Sequence, residues 1–560
     1  MIMKKLLPIL TLFMLVLTLF ACSERVPEVK LSFESNGGTY FGSYEGGKVN
    51  SEPVPEKSGY IFEGWYLKPD FSGDRVIFPY EYFTSTTLYA RYTDILLGNE
   101  ELSFTENDDG YEVSAYTGSS ARVVIPAMHD NKPVVKLCDG FIATRYYIEE
   151  LYFTGNLETI EEEFGYFSKF SKFILLDDSD YFSVDEGVLF SADGKELICY
   201  PPANAVEGAL RTKYALPDGV EIIAKNAFRR AVFLEKIILS SSLKTVDETF
   251  NTTTSLKAFE GSGSNYSTSD GVLLNADMTA VIRYPMNREN PVYTVPSTVV
   301  EIRTGALQNT NIKVLNIQEK VSQIEDLAEL NDLEEINVAT YNQSFYSVDG
   351  VLFSVDKKLV KYPAAREGAN YVVPDGVTAI VSHAFSGLIN LKTVRIGAET
   401  ETVEPYAFGG GDYSSLERVE FAVESRLSYI GAGAFFGCDN LKTLVLGGRR
   451  PPSVETSELA EIDYIFVPGN ALALYAYTWG RLTSVLGASE DKLTEYTVTF
   501  NSLGGSKVDT MICASLVDEP VATKSGFVFM GWYTAVEGGE RVTFPLVVEE
   551  DVTLYARYSN

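Results

Sequence analysis

A chain of 560 residues is too long for one compact core, so several domains or an extended array are expected. Its composition, 45% hydrophobic and 22% charged, is an ordinary globular balance, with aromatics abundant at 34 Tyr and 33 Phe. The net charge of -31 would repel phosphates and argues against a nucleic-acid partner; it suits a soluble exposed surface, a basic partner or divalent cations.

The N-terminus reads as a targeting segment. Lys4 and Lys5 precede an apolar run from Leu6 through Phe20, and then comes Leu-Phe-Ala-Cys at 19–22. This resembles a bacterial lipoprotein signal, with Leu at −3, Ala at −1 and a cysteine to be acylated. The resemblance implies a signal peptide over 1–22, lipidation of Cys22, membrane attachment through that lipid and a cell-envelope, surface-exposed location. An ordinary secretory signal or a short transmembrane anchor is the alternative reading. No later apolar run is long enough to span a bilayer.

Residues 29–93 follow, and residues 496–560 repeat them. The first segment reads LSFESNGG, SGYIFEGWY, RVIFP and TTLYARY; the second reads VTFNSLGG, KSGFVFMGWY, RVTFP and VTLYARY. Apolar and polar residues alternate as in half-buried strands, and the Gly-Gly pairs mark turns. Both segments resemble the internalin-type B repeat, also called the Listeria–Bacteroides repeat, which implies two small β-grasp-like domains. Tyr92 and Tyr558 stand where that family usually ends in Trp. Trp65 and Trp532 occupy the same place in each copy; a core anchor fits them better than a sugar-stacking platform.

Between these segments, residues 101–487 carry a ladder, L-x-x-hydrophobic-x-hydrophobic, with a period near 22 residues. Clear copies end at Phe153, Leu239, Ile317, Val338, Ile396, Phe421 and Leu446; weaker ones end at Ile125, Leu175, Leu216, Val295 and Val373. One such unit cannot bury its apolar face alone, so the repeat predicts a solenoid. Alternate ladder residues should stack inward while intervening Lys, Glu, Asn and Arg face solvent. Thirteen positions, counting a weak one at Gly261, would stack at roughly 4.8 Å to make an array of about 60 Å. Three inserts interrupt the ladder around Gly187, Gly271 and Gly350, each read as a hairpin whose second strand ends in Tyr-Pro.

A second signature is Ala-Phe after an apolar stretch, as in VEIIAKNAF, VTAIVSHAF, TVEPYAF and LSYIGAGAF. With the ladder it resembles the BspA-type leucine-rich repeat of bacterial and protist surface proteins, and YIFVPGNALALYAYTWG resembles that family's end cap. Two stretches lack the Ala-Phe anchor, residues 305–310 and 326–328, and are expected to pack less regularly. The fold expected is therefore mainly β: a leucine-rich-repeat solenoid with hairpin inserts, flanked by two small β-grasp-like domains.

No catalytic constellation emerges. His129 falls in a polar turn and His383 at a variable rung position, and there is no G-x-S-x-G, H-E-x-x-H or phosphate loop. Cys138, Cys199, Cys438 and Cys513 lack metal-ligand spacing and read as free thiols. The acidic run at 177–182 lacks the glycine of a calcium loop, so neither cofactor nor metal is expected. The reading is a non-enzymatic, lipid-anchored surface protein that binds a host or bacterial protein or glycan; a structural spacer is the alternative. Tyr146, Tyr147, Tyr152, Tyr341, Tyr346 and Tyr413 are the candidate contact residues, because tyrosines at solvent-facing positions dominate binding hot spots. Core or edge packing is their competing role.

Overall fold

The computed structural model describes residues 29–559 except 143–146, 207, 248–249, 410–413, 455–458, 460–461, 469–470, 481–492, 495, 509, 514, 517–518, 545 and 549. Cys22, Tyr146 and Tyr413 lie outside the described residues. The chain divides into two compact units, Met1–Arg211 with Ile222–Ala231, and Thr212–Glu221 with Val232–Asn560.

The first unit begins with a four-stranded sheet. Strand Thr86–Asp94 runs parallel to Lys30–Glu34 and antiparallel to Tyr60–Tyr66, and Ser43–Glu45 adds an edge. Alternation places Leu31, Phe33, Leu88 and Ala90 on one face, closed by Trp65. Trp65 is fully buried; its indole N–H donates to the Pro53 carbonyl at 2.6 Å, and Phe33 meets it edge-on at 4.7 Å. The tryptophan is thus the core anchor of this small sheet.

Tyr92 shows why the double glycine stands where it does. Its hydroxyl donates to the Ser35 carbonyl at 2.8 Å, and a Cβ on Gly38 would sit 2.0 Å from that oxygen. The second unit ends in a sheet of the same order, built from Tyr496–Asn501, Met511–Cys513, Val528–Tyr533 and Val552–Ser559. There Tyr558 donates to Ser502 at 2.9 Å, a Cβ on Gly505 would meet its hydroxyl at 1.9 Å, and Trp532 is fully buried.

The repeat region forms a β-solenoid of stacked coils. In the first unit, Arg122–Val124, Glu150–Phe153 and Lys172–Leu175 pair in parallel, burying Val123, Leu151, Phe153 and Phe173. In the second unit, parallel sheets comprise Lys213–Ala215, Lys236–Ile238 and Ala258–Glu260; then Val292–Thr294, Val314–Ile317 and Glu335–Val338. A six-stranded sheet follows, from Asn370–Val372 through Thr393–Ile396, Arg418–Phe421, Thr443–Leu446 and Tyr464–Phe466 to Leu493–Thr494. Leu239, Ile317 and Ile396 are buried, as are the plugs Phe228 and Phe385.

The inserts interrupt the ladder in a defined way. Each insert glycine occupies the place of the next rung: the amides of Phe173, Phe259 and Ile336 donate to the carbonyls of Gly187, Gly271 and Gly350 at 2.9–3.0 Å. These glycines have φ of 82°, 78° and 77°, and a Cβ on Gly187 would lie 2.5 Å from Lys172 Cβ. The inserts are also three-stranded meanders rather than hairpins. Phe182–Asp185, Tyr266–Ser269 and Phe345–Val348 each precede the two strands expected. In the anchor-poor stretches, expected to pack less regularly, Ala306, Leu307 and Leu327 are buried.

The array ends in helix Leu472–Gly480. Its buried Tyr475 and Trp479 donate to the carbonyls of Gly448 at 3.0 Å and Pro452 at 3.2 Å, closing the last rungs of the core.

Candidate ligand-binding face

Side chains that alternate outward from the ladder strands form the solvent face, and neighbouring rungs tie them together. In the second unit, Asn337 donates to Asn316 at 3.2 Å and Asn316 to Thr294 at 3.1 Å. Lys236 pairs with Glu260 at 2.6 Å and Lys313 with Glu334 at 2.7 Å. Glu420 receives both Arg395, at 2.9 Å, and Arg418. Such cross-strand pairs are individually modest, yet they hold a row of polar groups in fixed positions. Towards the helix the face turns apolar: Val445 and Phe466 pack with Tyr496, while Tyr464 remains 54% exposed.

In the first unit the face is denser in charge. Glu150 accepts from Arg122 at 3.3 Å, from Lys172 at 3.2 Å and from the Tyr152 hydroxyl at 2.5 Å. Burial pushes the Glu150 carboxyl upward, but Arg122 and Lys172 outweigh it and hold it below the ordinary carboxylate range. Arg122 also reaches the first domain: it donates to Glu52 at 3.3 Å and to the Phe62 carbonyl at 3.2 Å, and its guanidinium lies over the Phe62 ring. Beside this cluster a groove of about 640 Å³ runs between the ladder face and the 54–62 segment, lined in part by Tyr60, Tyr152 and Lys172.

The four described candidate tyrosines differ in setting. Tyr147 is half-buried against the core of the first unit and donates to the Gly118 carbonyl. Tyr152 is half-buried on the ladder face, and burial together with the Glu150 charge pushes its hydroxyl pKa up. Tyr341 is 73% exposed just before the third insert. Tyr346, in that insert, stacks on Phe353 with centroids 5.5 Å apart. Tyr464, an exposed aromatic on the ladder face itself, was missed because its strand reads as part of the end cap; the alternation in Tyr-Ile-Phe is the signal that marks it.

A second groove, of about 620 Å³, opens at the third insert between Lys313, Glu335, Asp349 and Arg366. In the two earlier inserts the acid before the glycine pairs with an arginine, Glu186 with Arg211 and Asp270 with Arg288. At the third, Arg366 instead lies over the rings of Tyr362 and Tyr371, 5.7 Å from each centroid.

Other reactive groups are placed structurally. His129 is in a short strand rather than a turn, stacked on Phe104 at 3.9 Å. Cys138, Cys199 and Cys438 are free thiols, and burial pushes Cys438 up to about 12, away from thiolate chemistry. Among the described residues no group of three or more His, Cys, Asp or Glu side chains could hold a metal ion. Among them too, no helix is long and apolar enough to cross a membrane.

Two family models match the repeat regions. The Listeria-Bacteroides repeat domain matches residues 30–91 and 496–557, and the BspA type leucine rich repeat region matches 209–289, 286–359 and 367–456. Internalin H of Listeria monocytogenes is 39% identical over 135 residues, which is 22% of this chain and 25% of that protein. The chain thus matches about a quarter of that relative's length. Among solved structures, a leucine-rich repeat protein from Eubacterium ventriosum is 20% identical with a TM-score of 0.35, covering 46% of this chain and 67% of its own. A leucine rich cell surface protein from Faecalibacterium prausnitzii is 18% identical with a TM-score of 0.32, covering 67% and 92%.

Proposed function

We propose that this chain, in which a BspA-type leucine-rich repeat region stands between two Listeria–Bacteroides repeat domains, is a lipid-anchored surface protein that binds a host or bacterial protein or glycan through its ladder face. The observation that carries the reading is the face itself. Its outward side chains are held rung to rung by pairs such as Asn337–Asn316–Thr294 and Arg395–Glu420, so a partner meets groups already ordered. Preorganisation of this kind lowers the entropy lost on association. Catalysis needs a few groups converging at one point, whereas here similar surfaces recur along an array. The acidic balance of the chain favours a basic partner and an association rate that falls as salt rises.

Two experiments test the proposal. The fragment from Ser23 onward is screened against matrix proteins, bacterial surface proteins and glycans, and the hits are titrated with N316A/N337A and Arg395→Ala variants. Loss of binding in these variants is expected; undiminished binding to every hit would move recognition off the ladder face. A chain that binds nothing in the screen would favour the spacer role instead. For the anchor, Cys22→Ala is expected to abolish lipid labelling and leave unprocessed precursor. Equal labelling of both proteins would remove the anchor from the proposal.

A further inference from the structure

A different edge of the solenoid, where the short second strands turn into the Ala-Phe anchors, carries an unusual row of rings. The residue before each anchor alanine sits in the left-handed region. Asn226 has φ 61°, Gly305 71° and Gly433 66°, residue types that tolerate it. Two rungs place rings there instead, His383 at 59° and Tyr406 at 56°. Histidine is among the residues that enter this region more readily, but tyrosine is disfavoured there, and such strain persists where a function or the core requires it. The core does not require these two, since the plugs are the next residues but one, Phe385 and Phe408.

The rings make a platform. His383 and Tyr406 lie with centroids 5.7 Å apart and planes 9° apart, and Phe436 continues the row edge-on at 6.4 Å. Tyr406 is 43% exposed and Phe436 59% exposed, so the row faces solvent. Beside His383 a notch of about 290 Å³ opens where the third insert replaces a rung. Thr304, Glu325, Asp326 and Ser382 contribute polar atoms to its walls, and Lys361 lies within it. The His383 Nδ1 is buried without a hydrogen-bond partner.

We infer that this notch and ring row form a second binding site, for an uncharged carbohydrate chain. A pyranose offers an apolar C–H face to stack on a ring and hydroxyls that donate to carboxylates. Glu325 lines the notch, its Oε2 accepting the Thr304 amide at 2.9 Å and hydroxyl at 2.8 Å. The two carboxylates oppose an anionic ligand. The Lys361 ammonium, held by Ser386 at 2.8 Å and the His383 carbonyl at 3.1 Å, opposes a cationic one. The notch has room for a sugar ring beside His383, and the rings at Tyr406 and Phe436 extend the surface along the next rungs.

The test titrates the full chain with chitohexaose, maltohexaose and mannohexaose by calorimetry, with hexalysine as the cationic control. Variants are H383N, Y406N and the double, because asparagine accepts the left-handed backbone. At least one sugar is expected to bind, and the double variant to lose roughly tenfold in affinity, about what two stacking contacts supply. Its melting temperature should be unchanged or higher, since the strain is relieved, and N316A/N337A on the ladder face should leave sugar binding intact. Absence of binding at millimolar sugar, binding indifferent to both rings, or hexalysine binding that the double variant removes would each overturn the inference. So would a lower melting temperature, which would mean that the rings serve the fold.

Discussion

Replacing Arg122 with Met tests how the first domain is held against the ladder face. Methionine preserves much of the side-chain volume, so no large cavity confounds the result. The change removes charge-assisted hydrogen bonds to Glu52 and Glu150, both at 3.3 Å, a bond to the Phe62 carbonyl at 3.2 Å, and the cation over the Phe62 ring. Removing one member of a buried ion pair typically costs about 3–5 kcal/mol. Here neither carboxylate is stranded: Glu52 keeps Arg75 at 2.7 Å, and Glu150 keeps Lys172 at 3.2 Å. We therefore expect a smaller loss of about 2–3 kcal/mol. The pH dependence follows from Glu150, whose folded pKa lies below the ordinary 4.5. Such a group stabilises the fold above its unfolded pKa, and that contribution is lost as pH falls through the folded pKa. The variant should therefore be weakened most near neutrality and converge on the parent in acid. Hydrogen exchange of the 60–66 and 122–124 amides reads both effects locally. Unchanged protection at neutral pH would show that the arginine cluster decorates this contact without holding it.

In the repeat core, Phe385→Ala should cost about 3–5 kcal/mol, because the ring is fully buried and stacks on Phe408 at 4.9 Å and Tyr362 at 5.4 Å. The loss should be confined to the neighbouring rungs, since a solenoid couples only nearest neighbours; equal loss of exchange protection in the 496–559 sheet would contradict this. Lys361→Met should stabilise the chain near neutral pH. Burial holds the Lys361 amine down to about 8 from its ordinary 10.5, a difference of 2.5 units, or roughly 3 kcal/mol of penalty while it is charged. Between those two values the unfolded chain binds the extra proton, so parental stability rises with pH across that window; Lys361→Met should lack the rise. A parallel pH profile in the two proteins would show that the amine is not the source.

How much of this could be read from the sequence depended on the length scale of the interaction. The ladder was legible because the period is local: inward positions such as Val394 and Ile396 alternate within one strand, and every rung repeats the pattern. The anchors were legible as Ala-Phe, yet the chemistry of the wall is broader than that spelling, since Leu307 and Leu327 fill it too. The breaks in the ladder were legible as inserts, but the way each insert meets the strand before it was not. It depends on Gly187, Gly271 and Gly350 each offering a carbonyl to the preceding ladder strand, at Phe173, Phe259 and Ile336, a pairing that no hydrophobic period encodes. For the same reason the third strand of each insert was missed: FSVD, YSTS and FYSV are only four residues long, and pairing to the next segment defines them.

The candidate site was less legible, because exposure is decided by what packs nearby. Tyr147 and Tyr341 look alike in the sequence, but one donates to a backbone carbonyl against the core and the other stands 73% exposed. His383 shows the opposite case. As one of only two histidines it invites a catalytic reading, and its neighbours in sequence suggest a bland surface position. Its meaning comes from three features that no linear pattern displays: a left-handed backbone where three other rungs use Asn or Gly, a parallel ring one rung away at Tyr406, and a notch beside an insert. Repetition is what makes the departure readable, since each rung serves as the control for the next. A solenoid can therefore spread one weakly specific surface along its ladder and still build a distinct site at the rung where the pattern breaks.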